Sequence, residues 1–204
     1  MADPSDARTS RLADRLRRAI DREAKIPLAL DVLGPIAGRD VFVLDDPTWP
    51  IAERLATAGA LVTPIVADDL TSAPGVGRTG TADVLVVARS AFRGPSVDEL
   101  AAARSILRSD GRLLVIHDYG RDDVSRLYGP RPEYGEWSRR DGPFLGNGFK
   151  IRVIHTWWTF DSLAEARDVL IDGFGEAGER VAADLVRPRL SYSVAVYHRS
   201  FGAK

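Results

Sequence analysis

Apolar positions along the chain change period several times, and each change marks an element. In "DARTSRLADRLRRAIDREA", Leu12, Leu16, Ala19 and Ile20 share one face at helical spacing while arginines and aspartates take the rest, which predicts an amphipathic helix. A second short helix is predicted over residues 28–33, ended by Gly34-Pro35. "VFVLD" (41–45) and "ADVLVVA" (82–88) are nearly continuous apolar runs, the pattern of strands covered on both faces in a parallel sheet. "RLLVIH" (112–117) and "KIRVIH" (150–155) read as further strands, and "LSYSVAVYHRS" (190–200) alternates as a closing strand. "LVTPIVA" (61–67) is a strand that Pro64 demotes to a sheet edge.

Between these runs lie helices. One carries Ile51, Leu55 and Ala58, has Pro50 at its first turn and stops at Gly59. Ser96 and Glu99 are spaced as a capping box that opens a helix ended by Asp110-Gly111. Ser162 and Glu165 repeat that spacing ahead of Leu163, Ala166, Leu170 and Phe174, with a break predicted at Gly173 and Gly175 before "ERVAADLV" resumes. Residues 71–81 are Gly/Pro/Thr-rich and read as loop. The alternation predicts an α/β fold: a doubly wound, mostly parallel sheet with helices on both faces and an antiparallel closing strand. It is expected to be one domain over residues 1–204, with an N-terminal helical segment at 1–34. Ligands of such sheets bind outside the carboxyl ends of the strands near the topological switch point. That rule directs attention to Asp45–Trp49, Asp68–Asp69, Arg89–Phe92 and His117–Tyr119.

Composition narrows the classes. With 45% hydrophobic and 28% charged residues, the 204-residue chain is ordinary for a soluble globular protein. A net charge of -1 gives no general attraction to nucleic acid. There is no cysteine, so disulfides, zinc-cysteinate sites and thiol nucleophiles are excluded. The polar start "MADPSDARTSR" lacks the apolar stretch of a signal peptide, and no apolar run reaches the roughly 18 residues of a membrane span. A cytoplasmic protein is expected. The basic first helix reads as a solvated face, with a homodimer contact or an acidic partner as the other reading.

Candidate chemistry gathers late in the chain. His117 and His155 end the similar phrases "VIHD" and "VIHT", but with a strand between them they stand about 10 Å apart. Zinc ligands must converge to about 2.1 Å from the metal, so no metal site is expected. His117 beside Asp118 suits a general base; the plainer reading is a histidine hydrogen-bonded at the sheet's rim. Residues 120–149 form a long tract in which a single helical turn near 124–128 is predicted. It mixes Arg121, Arg126, Arg131, Arg139 and Arg140 with Tyr128, Tyr134, Trp137 and Phe144. A lid over a small anionic or aromatic substrate and a pinned surface loop both fit that mixture. Tyr119, Arg139, Arg140 and Trp157 are the candidate substrate-binding residues. Dinucleotide, P-loop and GxSxG motifs are absent.

The order of elements resembles the class I S-adenosylmethionine-dependent methyltransferase family. "LDVLGPIAGRDVFVLD" is similar to that family's approach to its cofactor loop, "ARSILRSDGRLLVIHD" to the helix, turn and strand that follow, and "YSVAVYHR" to its antiparallel closing strand. The resemblance spans roughly residues 28–200. It implies a Rossmann-like methyltransferase fold, S-adenosylmethionine as cofactor and a small-molecule methyl acceptor. It also implies cofactor contacts from Asp45, Asp46, Thr48 and Trp49, from Asp68 with Asp69 at the ribose hydroxyls, and from Arg89 and Ser90 at the methionine end. His117 and Asp118 would then stand at the reacting end. The chain departs from the family in the turn after the first strand, "DDPTWP", which has two prolines and no glycine. There Trp49 reads either as a stacking platform for adenine or as a plug in a vacated pocket. Residues 71–81 are too short for the family's next helix and strand, so one sheet edge is expected to be shortened. Two functional readings follow: a small methyltransferase, or a non-catalytic relative that binds a partner or metabolite.

Overall fold

The structure, a computed structural model, describes residues 4–45, 49–67, 79–89, 92–93, 95–131 and 133–202. In chain order these form α1 (Pro4–Ala19), α2 (Lys25–Leu33), β1 (Asp40–Asp45), α3 (Ile51–Thr57), β2 (Leu61–Ile65), β3 (Ala82–Ala88), α4 (Val97–Ile106) and β4 (Leu107–Asp118). They continue with α5 (Asp123–Tyr128), α6 (Glu133–Glu136), a 3₁₀ turn (Leu145–Asn147), β5 (Lys150–Thr159), α7 (Leu163–Ala183) and β6 (Arg189–Ser200).

The six strands make one sheet in the order β2-β1-β3-β4-β6-β5. The pairs β2–β1, β1–β3 and β3–β4 are parallel, while β6 runs antiparallel between β4 and β5. Five strands therefore share a direction and β6 alone opposes them. A doubly wound sheet whose third strand is left out has this order in its first four strands. With the antiparallel strand inserted before the last, it is the mostly parallel, doubly wound sheet with an antiparallel closing strand that the sequence predicts. Among the described residues β2 is an edge strand, as Pro64 requires, since proline cannot donate to a second neighbour. Residues 68–78, which hold most of the tract expected to shorten that edge, lie outside the described residues.

Strand alternation sends two cores to opposite faces. On the first face Val41, Val43, Val84, Val86, Leu114, Ile116 and Val194 meet α2, α3, α7 and the end of α1. On the second, Phe42, Leu44, Leu85, Val87, Leu113 and Val115 meet α4 and the pair Phe144 and Phe149. These two phenylalanines anchor the 120–149 tract, which is built of α5, α6 and the 3₁₀ turn rather than left as open loop.

Two boundaries differ from the sequence expectation. α4 ends at Ile106, and β4 begins at Leu107 instead of Arg112. The register with β3 jumps from Ala82↔Leu107 to Val84↔Arg112, so Asp110-Gly111 forms an irregularity inside the strand rather than the turn before it. α7 passes through Gly173 in helical conformation and bends only at Gly175, whose φ of 53° and ψ of −131° are open to glycine alone. Beyond the bend the chain folds back. Arg167 donates from the first half to the carbonyls of Ala182 and Leu185 at the far end. A straight helix would hold residues 167 and 182 about 22 Å apart.

The N-terminal segment is locked on by Asp21, a buried side chain 1% exposed. Its carboxylate accepts from the backbone N–H groups of Lys25 and Ile26 at 3.0 Å each and from the Thr156 hydroxyl at 2.5 Å. Arg54 of α3 donates to the carbonyls of Ile20 and Asp21.

Candidate functional site

β3 and β4 end side by side, and alternation sends the last two side chains of β4 to opposite faces. His117 turns to the second face and is 6% exposed. Its Nε2 lies 2.9 Å from the Phe92 carbonyl, which can only accept, so Nε2 carries the proton and Nδ1 is the acceptor. The ring meets Trp137 edge-on at 4.6 Å. Burial lowers the His117 pKa to about 4, against the partial support of the Phe92 bond, so the imidazole is neutral at pH 7.

Asp118 turns the other way. It accepts from the Tyr192 hydroxyl at 2.6 Å and pairs with Arg89 Nε at 3.5 Å. Arg89 follows β3 with a left-handed φ of 48°, uncommon for a residue with a side chain. Its N–H donates to the Ile116 carbonyl at 2.9 Å, which fixes the turn. Burial opposes the Arg89 charge, yet Tyr192 and Asp118 outweigh it and the pKa is raised. Tyr128 is flanked by two guanidinium groups, Arg131 at 4.7 Å and Arg89 at 5.8 Å from the ring centre.

These groups open onto a cleft of about 150 Å³ lined by Arg89, Arg93, His117, Asp118, Arg131, Tyr134 and Trp137. The Tyr134 hydroxyl is buried and has no hydrogen-bond partner among the described residues. Burial, with Asp118 nearby, pushes its pKa up to about 12, so it remains a neutral donor.

Three of the sequence-predicted residues, Arg89, His117 and Asp118, come together here. Asp46, Thr48, Asp68, Asp69, Ser90 and the Asp45 side chain lie outside the described residues. Tyr119 is half-buried beside the second-face core, and its N–H donates to Ser193. Arg139 and Arg140 are exposed on the α6–3₁₀ connection, do not line the cleft, and Arg139 pairs with Asp141 at 3.4 Å. Trp157 is also elsewhere, because β6 lies between β4 and β5. Arg189 covers its ring at 4.3 Å, and it borders a separate groove against α5 and the end of α7.

Trp49 resolves the two readings of the glycine-free turn in one respect. The ring is 2% exposed and packs among Ile20, Ile26, Ile51 and Leu55 in the first-face core. The void beside it is about 10 Å³, no larger than one water can use. A stacking platform needs an open face, and this indole has none; it belongs to the core.

Arg93, Arg131, Tyr134 and Trp137 are the site residues that sequence reasoning did not single out. The arginine–aromatic mixture of the tract signalled Arg131, Tyr134 and Trp137 as a group, whereas Arg93 lies outside that tract and carried no signal. Nothing periodic in the tract told the inward members from Arg139 and Arg140. The other histidines stay apart: His155 meets Ser193 Oγ at 3.0 Å, and His198 pairs with Leu114 and Lys150 towards the other end of the strands. Among the described residues no three His, Cys, Asp or Glu side chains are grouped to hold a metal.

No family model matches the sequence, and a comparison with curated proteins finds no relative. Solved structures of similar shape include an S-adenosylmethionine-dependent methyltransferase from Aquifex aeolicus. It is 15% identical, covering 97% of this chain and 98% of that one, with a TM-score of 0.47. Another is the methyltransferase from Thiobacillus denitrificans in complex with S-adenosyl-L-homocysteine. It is 15% identical over 98% of this chain and 100% of that one, with a TM-score of 0.46. Likeness this loose carries neither a residue role nor an activity across. Among the described residues no helix is long and apolar enough to cross a membrane.

Proposed function

We propose that the protein transfers a methyl group from S-adenosylmethionine to a small-molecule acceptor at the carboxyl edge of the sheet. One observation carries this reading. The switch point between β1 and β3 opens on the same edge as the Arg89–His117–Asp118 cleft, where a doubly wound sheet holds its ligands. Cofactor contacts fall to Asp45, Asp46, Thr48, Asp68, Asp69 and Ser90, with Arg89 at the boundary between cofactor and acceptor. The bulk of Trp49, an obstacle if it stood over the turn, is accommodated in the core.

Methyl transfer of this kind depends chiefly on alignment of the acceptor, which the chain supplies by holding it in the cleft. His117 Nδ1 is the candidate proton acceptor. With a pKa of about 4 it is a weak base that serves an acidic acceptor proton. A small acceptor rather than nucleic acid fits the net charge of -1, a cytoplasmic setting fits the absence of cysteine, and a single domain over residues 1–204 fits the one sheet that the described strands form.

Calorimetric titration with S-adenosylmethionine tests the reading. Saturable heat that Asp68→Ala abolishes supports it. No heat at millimolar ligand removes the enzyme and leaves a non-catalytic protein that binds a partner or metabolite.

A further inference from the structure

We propose that the cleft beside β3 and β4 grips an anionic group, a carboxylate or phosphate, on the small-molecule acceptor. The identity of that molecule as a methyl acceptor rests on the function proposed above; the anion site itself does not.

Charge supplies the first argument. Among the described residues three guanidinium groups, Arg89, Arg93 and Arg131, and a single carboxylate line the cleft. That carboxylate, Asp118, is already engaged by the Tyr192 hydroxyl and by Arg89. His117 adds no charge, because its Nε2 proton is given to the Phe92 carbonyl and the ring is neutral. Guanidinium groups therefore outnumber carboxylates among the described lining residues. Guanidinium groups present paired N–H donors matched to the oxygens of carboxylate and phosphate.

A donor left over points the same way. The Tyr134 hydroxyl is buried without a partner among the described residues, which is costly unless something accepts from it. Its ring is deliberately seated. At Gly120, with φ of +82°, an added Cβ would lie 2.8 Å from Tyr134 Cγ, so only glycine lets the ring lie there.

Size and polarity complete the case. At about 150 Å³, many times the space a single water needs, the cleft has room for an oxyanion group. The left-handed Arg89 is a non-glycine residue held in a sparsely populated conformation at a ligand edge.

The experiment is a thermal unfolding series on the full chain with sodium phosphate, sodium acetate or sodium chloride at equal ionic strength. A parallel S-adenosylmethionine titration is run on the same samples. Stabilisation that saturates with phosphate or acetate, but not with chloride, is expected; whichever anion saturates at lower concentration identifies the group. Arg131→Gln and the exposed Arg93→Gln should each raise the half-saturating concentration about tenfold, the weight of one charge-assisted hydrogen bond. If Arg131→Gln fails to fold, Arg93→Gln decides alone. A response no greater than that to chloride, or an unchanged midpoint in the folded variants, overturns the anion site. S-adenosylmethionine binding without an anion response sinks this inference alone. An anion response without S-adenosylmethionine binding sinks the methyltransferase reading and leaves the cleft as an anion site.

Discussion

His117 shows how little a residue's identity says until its surroundings are known. In sequence it is a candidate base next to a carboxylate. In the fold the carboxylate faces away, and the imidazole is buried against Trp137, Phe144 and the Phe92 carbonyl. Its folded pKa of about 4 lies below the 6.5 of an unfolded chain, so the unfolded state takes up the proton first. Stability from this residue is full above pH 6.5, falls as pH drops towards 4, and levels off below. Between pH 7.5 and 5 the expected loss is about 2 kcal/mol. Urea unfolding of wild type and His117→Gln at both pH values checks this. The variant should lose about 2 kcal/mol less across the interval, and equal slopes would contradict the buried neutral imidazole. Trp49 makes the same point in reverse. A bulky ring in a cofactor turn reads as a plug or as a platform, and neither reading could be settled from a chain position. What decides is where the ring packs, and that depends on Ile20 and Ile26, more than twenty residues upstream.

Elements were legible where a local rule acts alone. The capping box at Ser96 and Glu99 is present in full, and Ser162 accepts from the Glu165 N–H as its spacing predicts. The edge position of β2 among the described residues follows from Pro64. Elements were illegible where a neighbour overrides the local signal. The start of β4 is set by pairing with β3 across an irregular register, so Asp110-Gly111, a turn signal on its own, lies within the strand. In α7 the glycines look equivalent in sequence, yet each does something different. Gly173 is helical, and a Cβ there would sit 3.6 Å from Leu12, an ordinary contact. At Gly178 a Cβ would stand 1.9 Å from the Leu170 carbonyl oxygen, because the folded-back half of the helix packs backbone against backbone. Gly173→Ala should therefore stabilise by about 0.5–1 kcal/mol through helix propensity. Gly178→Ala should cost about 2–3 kcal/mol through overpacking. Chemical denaturation of the two variants measures both, and a like sign for the pair would refute the fold-back at Gly175.

At the scale of the whole molecule, the six strands among the described residues, their directions and the antiparallel closing strand were readable, because each strand advertises its burial in its own few residues. The way the N-terminal segment closes the first face was not, since it rests on one aspartate that looks like any surface acid in "AIDREA". Asp21 joins the α1–α2 turn to β5 through Thr156, and its own N–H donates to the Trp157 carbonyl at 2.9 Å. Arg54 approaches from α3, its Nη1 at 3.9 Å from the carboxylate. Replacing the aspartate with alanine strips Lys25 and Ile26 of a buried acceptor and leaves the Thr156 hydroxyl facing an apolar methyl, while Arg54 keeps its two backbone carbonyls but loses the nearby negative charge. A loss of about 3 kcal/mol is expected, within the range for breaking a buried charged network. Domains of this kind have about 5–15 kcal/mol in total, so one side chain on the N-terminal turn governs a sizeable share of the margin. Arg22→Ala is the control. It removes the exposed pair to Asp161 one residue further along, and should cost less than about 1 kcal/mol. Urea midpoints for the two variants separate the cases. If Asp21→Ala were as mild as Arg22→Ala, α1 and α2 would be appendages to the sheet, and the first-face core would have to stand without the clamp that spans β5 and α3.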